Sequence, residues 1–170
     1  SLEWRAERGL SRFQLEGKLG QPGFSGTHHN PRKMKSQVFR GVKKEAEFFD
    51  AARPLVEAVN SGSRQRLPSG FVHWDTRAAT PGEYEEMLKK ESARSIGSRI
   101  VGYGLSRNHE LVPGNTVRIE GTLDARGEYG VTKVIHRWTS QHQGYENEFW
   151  CTPWKHFVSP EQPRPQPIAA

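Results

Sequence analysis

Between Ser98 and Thr152 the apolar residues recur at every second position, and the runs are separated by turn signals. That is the period of half-buried β-strands joined as an antiparallel meander. The first run, Ser98–Leu105, carries Ile100, Val101, Tyr103 and Leu105 with two glycines, which predicts a bent or bulged strand. Val112-Pro113-Gly114-Asn115 is a tight turn. Thr116–Leu123 alternates through Val117, Ile119 and Leu123, and Asp124–Gly127 reads as a hairpin loop closed by glycine. Glu128–Ser140 is a long strand whose apolar parity shifts between Val131 and Val134, so a bulge is expected near Lys133. Gln141–Gly144 turns the chain. Tyr145–Thr152 then returns with Tyr145, Phe149 and Cys151 on one face and Trp150 on the other. Tyr145 and Phe149 are placed to pack against Tyr129 and Val131. A meander must cover its edges, and curling into a barrel is the common solution.

Two helices are expected beside this sheet. Thr80-Pro81-Gly82-Glu83 is a helix start, with Thr80 as cap, Pro81 at the first helical position and Glu83 completing a capping box. Tyr84, Met87 and Leu88 would form the buried face of a helix over about 81–95. Upstream, Val42, Ala46, Phe49, Ala52, Val56 and Val59 recur at steps of three and four, which predicts a helix over about 42–60 kinked at Pro54 and ended by Asn60–Ser63. Residues 60–70 then read as a linker, and Phe71–Trp74 as a short strand. Before that helix, Phe13, Leu15 and Leu19 alternate with polar residues as a short strand, and His28–Lys33 reads as an exposed loop. The tail from Ser159 has four prolines in twelve residues and is expected to be extended or disordered. The fold class is therefore α+β, with a basic Gly-rich segment over 1–66, a helix plus barrel-like sheet over 71–158, and a tail over 159–170. A faint echo links Leu15–Gly20 to Ile119–Asp124 at a spacing of 104 residues, which a duplicated hairpin or chance would give.

Several classes of function are excluded or narrowed by composition. One cysteine, Cys151, permits no internal disulfide and no cysteine-rich zinc site. No run of 18 apolar residues is present, so no membrane span is expected. The chain opens on Ser1-Leu2 without Met, as a fragment would, and shows no targeting signal. The 170 residues carry a net charge of +6, and residues 1–66 hold all of it, with 13 Lys and Arg against 7 Asp and Glu. A basic segment joined to a neutral one is either a solvated surface or an electrostatic footprint for an acidic partner. Arg32, Lys33, Lys35, Arg40, Lys43 and Lys44 fall within 13 residues, with Phe39 between them. Cations interleaved with a stacking ring are what single-stranded nucleic acid requires, so the alternative to an assembly role is a basic nucleic-acid-binding protein acting through residues 32–66.

No catalytic constellation stands out. The seven histidines follow no metal-binding spacing, and there is no phosphate-binding glycine loop. Cys151 could pair with His136 or His156 only if the strands brought them together, and a buried small hydrophobe is its ordinary role. The charges of residues 83–94 balance at helical spacing, as on a solvated face. No cofactor and no enzymatic activity are expected.

The stretch from Leu111 to Arg164 resembles a known family. It contains Leu-Val-Pro-Gly at 111–114, Tyr129-Gly130-Val131-Thr132-Lys133-Val134-Ile135-His136, Tyr145-Glu146-Asn147-Glu148-Phe149, and a trailing Pro163-Arg164-Pro165. Their order is similar to the hub-barrel region of VgrG-type spike proteins and the related late control D hub proteins of phage tails. The helix from Pro81 and the strand from Ser98 stand where that family has a helix leading into the barrel, so the resemblance covers about 80–165. Residues 1–70 do not share it, and no needle repeat follows. The resemblance implies a non-enzymatic assembly role, a homo-oligomer (a trimer), partners among tail or injection-apparatus proteins, and a place in a virion tail or injection apparatus. His136, Tyr145, Asn147 and Phe149 would be barrel-packing residues. Trp138, Trp150 and Trp154 are the candidate partner surface, unless a helix covers them.

Overall fold

In a computed structural model, residues 2–3, 9–71, 79–120, 124–139 and 144–157 are described. The chain runs β1 (Leu2–Glu3), β2 (Leu10–Gly17), β3 (Phe24–Asn30), β4 (Lys35–Val42), α1 (Arg53–Arg66), β5 (Gly70–Phe71), α2 (Pro81–Gly97), β6 (Ile100–Ser106), β7 (Thr116–Glu120), β8 (Gly127–Thr139) and β9 (Gly144–Thr152). It is an α+β fold. A mostly antiparallel sheet, in the order β1-β7-β8-β9-β6-β2, curls into a barrel-like half-cylinder, and β4-β3-β5 form a second, smaller sheet. Val72–Trp74, Leu123, the turn at 141–143 and the tail from 159 lie outside the described residues.

The meander forms where its alternation places it. Val117 and Ile119 of β7, Tyr129 and Val131 of β8, and Phe149 and Cys151 of β9 all point into one core. The register of β8 on β9 slips between Val131 and Lys133, where the apolar parity changes. Gly114 takes a φ of +94°, a conformation that a side chain resists, and Gly114 donates its N–H to the Val131 carbonyl to close the turn. The glycines of β6 make no bulge in its pairing with β9. This strand alternates without a break, and a Cβ at Gly104 would lie 2.4 Å from the Phe149 ring. They are there so that Phe149, Phe13 and the Cys151 sulfur can press against the backbone. The slip in this part of the sheet falls on β2, between Leu10 and Arg12.

β2 completes the large sheet by pairing with β6, and its Phe13 ring meets Tyr129 edge-on at 5.5 Å and stacks on Phe149 at 6.3 Å. The echo at 104 residues is no repeated hairpin, because β7 pairs with β8 whereas β2 and β3 lie in different sheets.

The upstream helix is shorter and later than its apolar stripe suggests. Residues 35–42 are strand β4, the chain then crosses an irregular stretch bridged at Phe48 to Trp154 and at Ala51 to Gly127, and α1 starts at Arg53. Pro54 stands in the first turn and starts the helix instead of kinking it, since the N–H it lacks would be unpaired there anyway. Ser63 does not end the helix either. Its Oγ donates to the Val59 carbonyl at 2.7 Å and accepts from Gly20 N–H at 3.2 Å, and α1 continues to Arg66.

The helix α2 starts as its capping residues dictate. Thr80 Oγ1 accepts from Glu83 N–H, and Glu83 Oε2 accepts from Ala79 N–H. It covers the small sheet, not the curled one. Tyr84 and Leu88 pack with Phe24 and Phe39, with Met87 and Val42 alongside. His28 is on β3 and buried against Tyr84 at 5.7 Å, so the expected exposed loop begins only at Pro31. Burial raises the Tyr84 phenol pKa, partly offset by a hydrogen bond with the Thr27 backbone.

Candidate interaction surfaces

The pairing of β8 with β9 sets Trp138 opposite Tyr145, beyond the last core residues. Trp138 is 74% exposed, and its ring lies 6.3 Å from that of Tyr145. Tyr145 therefore does not pack against Tyr129 and Val131; only Phe149 joins them in the core. The phenol instead is hydrogen-bonded to His136 Nδ1 and accepts from Asn147 Nδ2 at 3.1 Å. Asn147 is fully buried and donates also to the Asn108 carbonyl at 2.6 Å, which ties the strand to the loop after β6. The edge of His109 faces Tyr145 at 6.4 Å. The exposed indole thus lies beside a polar network on the curled sheet.

The other two tryptophans do not join it. Trp150 points out of the opposite face of β9, beside Tyr103 at 5.2 Å and under the Lys133 ammonium at 4.6 Å. Trp154 lies on the end of α2, where a Cβ at Gly97 would come within 2.2 Å of its ring. Helix coverage therefore accounts for Trp154. Trp138 is the exposed member of the three, and they form no common patch.

Five of the six cations divide between two places, and Arg40 lies between them, exposed on β4. Arg32 and Lys33 stand on the turn between β3 and β4 and Lys35 opens β4, whereas Lys43 and Lys44 follow its other end. Eight residues of strand separate Lys35 from Lys43, about 26 Å. Phe39 faces α2 and is no stacking ring. The opposite face of the small sheet carries Thr27 beside Val38 and His29 beside Ser36, with Phe71 beside Ser25. Val38 and Phe71 are each 56% exposed. Neither residue was legible as a surface group, because which strand face meets α2 depends on the helix.

Cys151 and the histidines stay apart. Cys151 lies opposite Val131 whereas His136 lies opposite Asn147, four residues along β9, and His156 approaches Glu47 at 3.7 Å. The thiol is fully buried, and burial pushes its pKa well up, away from the reactive thiolate. Among the described residues no three His, Cys, Asp or Glu are placed to hold a metal ion, and no helix is long and apolar enough to cross a membrane.

Arg99 carries no sequence signal, yet it is 6% exposed at the junction of the two sheets. The chain matches no protein-family model and no curated protein.

Proposed function

We propose that this chain is a non-enzymatic assembly component similar to the hub of a contractile phage tail or injection system, and that it associates with copies of itself. The exposed Trp138, seated on the His136–Tyr145–Asn147 network, carries the reading. A large exposed ring beside Tyr145, whose phenol is tied to the buried Asn147, has the profile of an interface anchor. Strands β7, β8 and β9 of the curled sheet come from the motif segments between 111 and 152, and a barrel-like sheet is what the resemblance implies. Light scattering across a concentration series tests it. An oligomer that is insensitive to added oligonucleotide and weakened by Trp138→Ala is expected; a monomer at every concentration overturns the reading.

A second reading has one observation in its favour. From Gly17 to Lys44 the sequence has seven Lys and Arg and no Asp or Glu. This run builds β3 and β4, and the face turned away from α2 exposes Val38, His29 and the neighbouring Phe71. Cations along a sheet that exposes apolar groups suit a single-stranded nucleic acid. Binding of a labelled oligonucleotide that weakens with salt and with Phe71→Ala is expected on this reading. Binding that ignores both removes it.

A further inference from the structure

Arg99 is buried, and among the described residues no carboxylate lies within ion-pair distance of it. Its Nη2 donates to the Gln21 carbonyl and, at 3.4 Å, to Ser95 Oγ, while its Nε has no hydrogen-bond partner among the described residues. The approach of the chain at Gly20 seals this side, since a Cβ there would lie 2.8 Å from Nε. Arg99 forms part of the wall of a recess of about 160 Å³ between α1, α2 and the irregular stretch after β4. Arg64, from the last turn of α1, lines the same recess with Asn60, Phe48, Ile96 and Glu45. Removing a cation from water costs several kcal/mol unless an opposite charge compensates it. Burial accordingly lowers the Arg99 pKa.

We infer that this recess is a binding site for a small oxyanion, a phosphate or carboxylate group, anchored by Arg99 and closed by Arg64. Two guanidinium groups and an amide meet the donor needs of such a group. The recess has room for one charged group. Glu45 is the carboxylate on its wall and makes no ion pair among the described residues. Its charge opposes an incoming anion, so it acts as a restraint on affinity.

The test is anion titration of the whole chain at constant ionic strength with chloride as reference, read as melting temperature and by calorimetry. Inorganic phosphate and acetate are the two arms, and binding of either one alone assigns the chemical source of the oxyanion. Arg64 and Glu45 are exposed and can be changed without disturbing the core. Arg64→Gln is expected to weaken binding about tenfold, the worth of one charge-assisted hydrogen bond. Glu45→Gln is expected to tighten it. The inference is overturned if neither anion stabilises the protein beyond chloride, or if both substitutions leave the effect unchanged. It stands independently of either proposed function.

Discussion

The curled sheet buries Ile119, Tyr129, Val131, Phe149 and Cys151 completely, whereas the small sheet meets its helix with Tyr84 and Leu88 fully covered and with Phe24 and Phe39 each still 9% exposed. The first is closed by rings lying on glycine backbone: Phe149 on Gly104, and Phe13 on Gly102. The second leaves one face to solvent, and most of its charges are of one sign. Two sheets of one chain thus divide the work. The large one gains stability from apolar packing that tolerates no added volume, and the small one spends part of its surface on cations and exposed apolar groups.

The strongest way to break this comparison is a pair of core truncations. Phe149→Ala is expected to cost about 4–5 kcal/mol in a denaturant titration, because the surrounding strands cannot collapse into the space. Phe39→Ala, at the margin of the smaller core, is expected to cost about 3 kcal/mol. Equal losses would mean that the two cores are equally tight.

Next in size is a dependence on pH. The folded Cys151 thiol keeps its proton to higher pH than an unfolded thiol, whose ordinary value is 9.0. Above that value the unfolded chain holds fewer protons than the folded one, so stability falls as pH rises. The slope approaches about 1.4 kcal/mol per pH unit. Denaturation at pH 8 and pH 10 is expected to show this loss, and Cys151→Ala is expected to reduce it. Tyr129, also raised mainly by burial, adds to the loss above its ordinary value of 10.0. A thiol that titrates normally in the folded protein would show that the large core admits water.

Thr80→Ala is expected to cost about 1 kcal/mol by leaving the first turn of α2 uncapped. Because α2 covers only the small sheet, hydrogen exchange should quicken in β3 and β4 and hardly change in β8 and β9. Equal acceleration in both sheets would show that they open together. The smallest effect expected is that of Trp138→Ala on monomer stability, within about 0.5 kcal/mol. Its effect belongs to association, and a large loss of monomer stability would make Trp138 a packing residue.

Much of this was readable locally. The alternation through β7, β8 and β9 forces their side chains to one face or the other, and the Pro113-Gly114 turn and the parity shift at Val131 needed no distant partner. The same holds for the Thr80–Glu83 box. The helix expected over 42–60 was misplaced for a related reason. The stripe runs from the end of β4 at Val42 through the irregular Ala46 and Phe49 into α1, and the bridges of Phe48 to Trp154 and Ala51 to Gly127 keep its middle out of a helix. The glycines of β6 were legible as special but not as the floor beneath Phe149 and Phe13, since β2 lies more than eighty residues earlier in the chain. Burial of His28, coverage of Trp154 and exposure of Trp138 likewise depend on what packs against each strand face.

By itself the amino-acid sequence determined the α+β class, the strands of the C-terminal half, the start of α2 and the concentration of positive charge before residue 67. Those follow from side-chain period, turn chemistry and composition, which act over a few residues. Only the tertiary structure decided that β2 completes the curled sheet, that α2 covers the small one, and that Arg99 and Arg64 line one recess. Each of those depends on which distant surfaces exclude water from one another, a choice that no local pattern records.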